Sequence, residues 1–285
     1  MLNKINSIIF RFVTKVPRTF YSIFRLHPDS YPYITGDGFR KMADHIYEKM
    51  DKCRAGDIRE GEIVFLNADL TDEWFTEMHP KITASYKLIT HNSDRNIGQK
   101  EISFIDNKII HWFAQNVIVS HPKITPLPIG LENKRYFYNG IPSLFKNINK
   151  INTEKKNRIL FGFNTETNLS ERKPAFDSLT KCKAADKIDG FPTPNIYLKT
   201  LNQYKFVASP PGNGTDCHRT WEALYLRTVP IIKESICLNY FKSLGLPILV
   251  VKNYDNIDIS NYEPITTEVS VLTMDYWANK IKNES

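Results

Sequence analysis

Residues 204–233 (YKFVASPPGNGTDCHRTWEALYLRTVPIIK) constrain the fold more than any other stretch of this chain. The apolar run YKFVAS reads as a buried strand that ends in two prolines and a Gly-Asn-Gly turn at 212–214. An amphipathic helix runs from about Cys217 to Leu226, and a second apolar strand, VPIIK (229–233), follows. A strand–helix–strand run of this length is a βαβ unit, whose strands lie parallel. A parallel sheet needs helices on both faces, so the stretch requires an α/β layer. It also puts a tight turn and a helix N-terminus at the carboxyl end of a strand, where such sheets bind ligands.

The same alternation extends along the chain. GDGFRKMADHIYEKM (36–50) predicts a helix, with Phe39, Met42, Ala43, Ile46 and Met50 at helical spacing and Asp37 as its cap. GEIVFLNADL (61–70) predicts a buried strand, and TDEWFTEM (71–78) a short helix capped by Thr71 and ended before Pro80. YKLITHNSD (86–94) predicts another strand. NKIIHWFAQN (107–116) reads as a helix with Ile109, Ile110 and Phe113 on one face, and 117–120 and 124–131 as extended pieces. Residues 132–157 are rich in Asn and Lys, with Gly140 and Pro142, and read as a linker whose core is 141–157. A second alternating set follows. It has a strand at 158–164, a helix starting around 169–173 behind the Asn168/Glu171 capping spacing, a helix at 238–245 and a strand at 247–251. Val269, Leu272, Tyr276 and Trp277 predict a last amphipathic helix within 266–283. The expectation is two Rossmann-like halves, 27–140 and 158–265, with a cleft between them and a C-terminal helix in 266–285.

With 285 residues, 41% of them hydrophobic, the chain can form two cores of this kind. The net charge of +7 suits a polyanionic partner, an anionic membrane surface or a nucleotide. The charges are scattered and form no arginine-rich tract, so nucleic acid is not indicated. Cys53, Cys182, Cys217 and Cys237 form no C-x-x-C pair, which points to a reducing, cytoplasmic setting without a zinc module. No run reaches the about 18 apolar residues of a membrane span. Residues 1–26 carry Lys4, Arg11, Lys15, Arg18 and Arg25 among Ile, Phe and Val, with no acid. They read either as a basic amphipathic segment on a membrane surface or as a first helix packed on the domain and interrupted by Pro17.

The chemistry concentrates at the central turn. In a helix starting at Cys217, Arg219 and Glu222 share a face, and His218 neighbours Glu222. Arginine gives a diphosphate bidentate, charge-assisted hydrogen bonds. An ionised glutamate only accepts, which suits sugar hydroxyls. Gly212 and Gly214 let the backbone approach a ligand, and Asp216 can cap the helix or bind a hydroxyl. The plainer alternative is a tight turn whose Arg219 and Glu222 form a surface ion pair.

The block SPPGNGTDCHRTWEALYLRTVPII (209–232) resembles the signature of exostosin-like glycosyltransferases. The Gly-Asn-Gly turn, the Asp-x-His-Arg step, the Trp-Glu-Ala-Leu helix and the Val-Pro strand occur in the family's order. The resemblance is strong over about 158–251 and weak over 1–130. It implies a GT-B architecture and an inverting transfer from a nucleotide sugar, a UDP-sugar, to a glycan hydroxyl. Arg219 would hold the diphosphate and Glu222 the ribose or donor-sugar hydroxyls. Asn164, Thr165 and Arg172 would touch phosphate or base, or else cap a helix. Gly212, Asn213, Gly214, Asp216 and His218 complete the donor corner. The first half would hold the acceptor and a catalytic base. Asp94 is the candidate, with His91 and Asp69 nearby, and Gly130 and Asn133 would line the cleft. No D-x-D triplet is present, and Asp69 with Asp72 and Asp255 with Asp258 have the wrong spacing, so no metal is expected. Arg227 stands where family members often place glycine. The same scaffold without a working base would be a sugar-nucleotide or glycan-binding protein.

Overall fold

A computed structural model describes residues 15, 19–21, 23–136, 139–188, 190, 192–260, 262 and 269–284. Most of the basic segment in 1–26, and residues 266–268 of the tail, lie outside the described residues. Among the described residues, no helix is long and apolar enough to cross a membrane.

The protein is α/β, built on two sheets. The first has the order β2-β1-β3-β4-β5-β6, from β1 (His45–Glu48), β2 (Asp51–Lys52), β3 (Ile63–Asn67), β4 (Tyr86–His91), β5 (Ile109–Ala114) and β6 (Ile124–Pro126). All its pairings are parallel except β1 with β2. The second has the order β11-β10-β9-β7-β8 and is parallel throughout. Its strands are β7 (Lys156–Phe161), β8 (Ala185–Lys187), β9 (Tyr204–Ala208), β10 (Val229–Lys233) and β11 (Leu249–Val251). In the second sheet the strand order reverses at β7, with β8 on one side and β9 on the other, and the chain leaves β9 into the turn ahead of the helix His218–Tyr225.

Alternate residues of the central strands point into different cores. Ile63, Phe65, Ile89 and Phe113 face a core shared with Leu160, Val207 and Ile232 of the second sheet. Val64, Leu66, Leu88 and Trp112 face an outer core of the first sheet, and Ile159, Phe161, Phe206 and Ile231 an outer core of the second. The shared core includes Trp221, Phe241 and Trp277, each fully buried. The helix Met274–Asn283 returns to the first sheet. Lys87 Nζ of β4 donates to the carbonyls of Ile281 (3.1 Å) and Lys282 (2.7 Å) at its end.

Several local expectations need correction. Residues 107–116 are not a helix; Ile109–Ala114 is central strand β5. A strand buried on both faces is apolar at nearly every position, so helical spacing is satisfied by default. The helix expected over 36–50 stops at Met42, and His45–Glu48 becomes β1. Its cap is Thr35, whose side chain accepts from the Gly38 amide, while Asp37 sits buried in the first turn. Thr71 is likewise the first helical residue and not a cap; its hydroxyl donates to the Ala68 carbonyl at 2.7 Å. Residues 141–157 contain a helix, Pro142–Ile148, that buries Phe145 and Ile148. The strand β8 and the helix Pro194–Leu201 had no counterpart in the sequence reading.

Candidate functional site

The central turn folds as its sequence requires. Strand β9 ends at Ala208, the chain turns through 209–217, and a helix runs His218–Tyr225 with Cys217 at its N-cap position. Gly212 N donates to the Gly214 carbonyl at 3.0 Å. Both glycines lie close against side chains from other segments. A Cβ on Gly214 would come within 2.5 Å of Asn116 Nδ2, and one on Gly212 within 2.9 Å of Arg172.

A cavity of about 790 Å³ opens at this turn. Asp94 and every residue nominated above for the donor corner border it. Arg219 donates through Nε to the Tyr197 hydroxyl (3.3 Å) and through a terminal nitrogen to the Gly162 carbonyl (3.0 Å). Arg172 donates to the carbonyls of Pro211 (2.9 Å) and Asn164 (3.1 Å). Both guanidinium groups pack on Phe163, with Cζ 5.9 Å (Arg172) and 5.7 Å (Arg219) from the ring centre. Among the described residues neither arginine pairs with a carboxylate, and burial lowers the pKa of Arg172. Two cations held by neutral oxygens on one ring form a ready site for an anion.

Glu222 borders the same cavity, is 8% exposed, and makes no side-chain hydrogen bond among the described residues. Burial raises its pKa to about 7, against the pull of Arg219 and with a push from Glu132. The surface ion pair considered for Arg219 and Glu222 does not form: Glu222 is buried, and Arg219 bonds elsewhere.

Asp216 does not cap the helix. It accepts from the Ile129 amide (2.8 Å) and the Trp221 indole (3.0 and 2.9 Å), and its own amide donates to Asn116 Oδ1 (3.1 Å). Burial raises its pKa to about 7. It thus ties the turn to the first half of the chain. Asn164 caps a short turn by accepting from the Glu166 amide at 3.1 Å, and Thr165 begins that turn.

A second cavity, about 650 Å³, lies at the carboxyl edge of the first sheet and shares Asp94, Ile129 and His218 with the first. Asp94 is exposed there and accepts from Asn213 Nδ2 at 3.1 Å, so the candidate base touches the Gly-Asn-Gly turn. His218 Nδ1 lies 2.8 Å from the Gly130 carbonyl, which can only accept, so Nδ1 carries the proton. His91 lies within reach of this cavity but is 1% exposed. Its Nε2 lies 3.0 Å from the Pro128 carbonyl and its Nδ1 accepts from the Asn92 amide at 2.8 Å, and burial lowers its pKa to about 4. With both nitrogens engaged, it is a structural residue. The hydroxyl of Ser93 donates to Asp69. Asn133 bonds Asp37 and Asn92, at 2.8 and 2.9 Å. Among the described residues no cluster of three or more His, Cys, Asp or Glu is placed to hold a metal ion.

The sequence reading missed Phe163, Tyr197, Gln115, Asn116 and Glu132. Proline at the first helical position, Pro194, ahead of Tyr197, Leu198 and Leu201 is a start signal that would have found Tyr197. Nothing local marks the others, because their roles come from partners far along the chain. No protein-family model matches this sequence, and no curated protein matches it.

Proposed function

We propose that the protein is a glycosyltransferase of the two-domain GT-B type, similar to exostosin-like enzymes, that moves a sugar from a nucleotide sugar to a glycan hydroxyl. What supports this most is the pair Arg172 and Arg219, two guanidinium groups without a carboxylate partner on Phe163, beside a helix N-terminus. A donor diphosphate fits there through charge-assisted hydrogen bonds and the helix dipole. Glu222, whose side chain makes no hydrogen bond among the described residues, takes hydroxyls of the ribose or the donor sugar.

In this reading the acceptor enters from the second cavity and meets the donor at Asp94. Its hydroxyl oxygen attacks the anomeric carbon from the face opposite the diphosphate. The new C–O bond forms as the bond to phosphate breaks, the hydroxyl proton passes to Asp94, and the configuration inverts. The departing diphosphate carries its charge to Arg172 and Arg219, which stabilise the leaving group without a divalent metal.

Calorimetric titration with a panel of UDP-sugars, with and without EDTA, tests the reading. Binding and turnover insensitive to EDTA are expected. Arg219→Ala should weaken donor affinity about 10–100-fold, the worth of a charged hydrogen-bond pair. No binding of any nucleotide sugar would overturn the proposal. Tight binding with no transfer to any acceptor would make the protein a sugar-nucleotide binder.

A further inference from the structure

The two cavities differ in charge. The donor cavity's four carboxylates, Asp94, Asp177, Asp216 and Glu222, are matched by Arg172, Lys173, Lys187 and Arg219, and its two guanidinium groups have no carboxylate partner among the described residues. The second is bordered by three carboxylates, Asp69, Asp94 and Glu132. Arg95 also borders it but is committed to Asp72 through two 3.0 Å bonds and to Glu101 at 2.9 Å. An anionic ligand would meet acids with no free cation among the cavity's described residues to offset them.

The second cavity also holds an unused amide. Gln115, just after β5, is 3% exposed, and its Oε1 is buried without a partner. Neither end of that amide is hydrogen-bonded among the described residues. Asn92 presents a further donor: its Oδ1 is taken by Asn133 Nδ2, whose own Oδ1 accepts from the Asp37 amide. That chain of bonds fixes which way the Asn92 amide faces and leaves its buried Nδ2 without a partner. Leaving such groups unpaired is costly, so they favour a ligand that both donates and accepts. Paired hydroxyls on a sugar ring do both, and a primary amide complements them with one donor and one acceptor.

We propose that this cavity binds a neutral saccharide, that the Gln115 amide reads a pair of its hydroxyls, and that the surrounding carboxylates reject acidic sugars. The inference rests on the glycosyltransferase reading only in making that saccharide the acceptor. The carboxylates accept hydrogen bonds from hydroxyls further out on the glycan, and they repel uronic, sialylated, sulfated and phosphorylated units. The excess of acids in this cavity alone thus sorts the two substrates into their own cavities.

An array of neutral oligosaccharides, printed beside uronic-acid-containing, sialylated and sulfated ones, tests this with the whole chain. Capture confined to neutral glycans is expected. Gln115→Met, of similar size but without the amide, should weaken capture of the best neutral glycan about tenfold or more. UDP binding in the other cavity, within twofold of wild type, shows that the variant is folded. If that variant does not fold, Glu132→Gln reads the same idea through charge, since it should narrow the preference for neutral over acidic glycans. The proposal is overturned by preferential capture of acidic glycans, by no capture of any neutral one, or by neutral capture that Gln115→Met leaves unchanged. It is also overturned by a preference that Glu132→Gln leaves unchanged. Nucleotide-sugar binding without glycan capture removes this inference and leaves the donor reading standing; glycan capture without nucleotide binding does the reverse.

Discussion

Glu222 owes its chemistry to its surroundings. Burial holds its pKa near 7, above its ordinary value of 4.5, so the folded state binds the proton more tightly than the unfolded one. The resulting stability is complete below about 4.5 and is lost as the pH rises towards 7. Glu222→Gln stays neutral at every pH. Above pH 7 the variant should therefore be more stable than wild type by about 1–3 kcal/mol, with the gap closing towards pH 4.5. Thermal melts across that range measure it. Asp94 is the opposite case, exposed and, among the described residues, bonded only through Asn213, so its replacement should cost chemistry and not folding. Asp94→Asn should lower transfer about 100-fold or more, the worth of a general base, while UDP-sugar affinity stays within a few-fold. Single-turnover assays beside titration separate the two. Arg219 and Glu222 were legible because both lie on one turn of one helix. Gln115 was not, because an unpaired amide becomes visible only when every possible partner is in place.

The connection after the helix His218–Tyr225 shows what an element asks of one residue. Arg227 has a φ of 54°, in the left-handed region that favours glycine. Its side chain is exposed, and its charge acts on half-buried Lys155. Arg227→Gly should relieve that backbone strain and raise stability by about 1 kcal/mol, read as a higher denaturant midpoint with an unchanged slope. Elements were legible where their pattern was asymmetric. β9, the helix after it and β10 alternate cleanly between buried and turn residues. β5 failed the same reading because Ile109, Trp112, Phe113 and Ala114 fill both faces of a central strand. The segment 43–52 failed for a different reason. Its short strands owe their existence to pairing with β3 and with each other, which no local window contains.

At the scale of the whole molecule, one apolar core spans both sheets. Phe65 and Phe113 of the first sheet, Ile232 of the second, and Trp221, Phe241 and Trp277 from helices belong to it. Asp216 and Asn116 add polar ties between the halves. Scanning calorimetry should therefore give a single transition with matching calorimetric and van't Hoff enthalpies. Two resolved transitions would show that the sheets unfold independently. The α/β layering was legible from the alternation of strands and helices. The sharing of one core was not, because it pairs residues from opposite ends of the chain. The return of the helix Met274–Asn283 to β4 also has a consequence for biosynthesis. At ribosomal rates, roughly 10–30 s separate the emergence of β6 from that of this helix. Until then the inner face of the nascent first sheet lacks the buried Trp277 and Ile281 side chains, so chains cut short before Met274 should engage chaperones instead of working as shorter proteins.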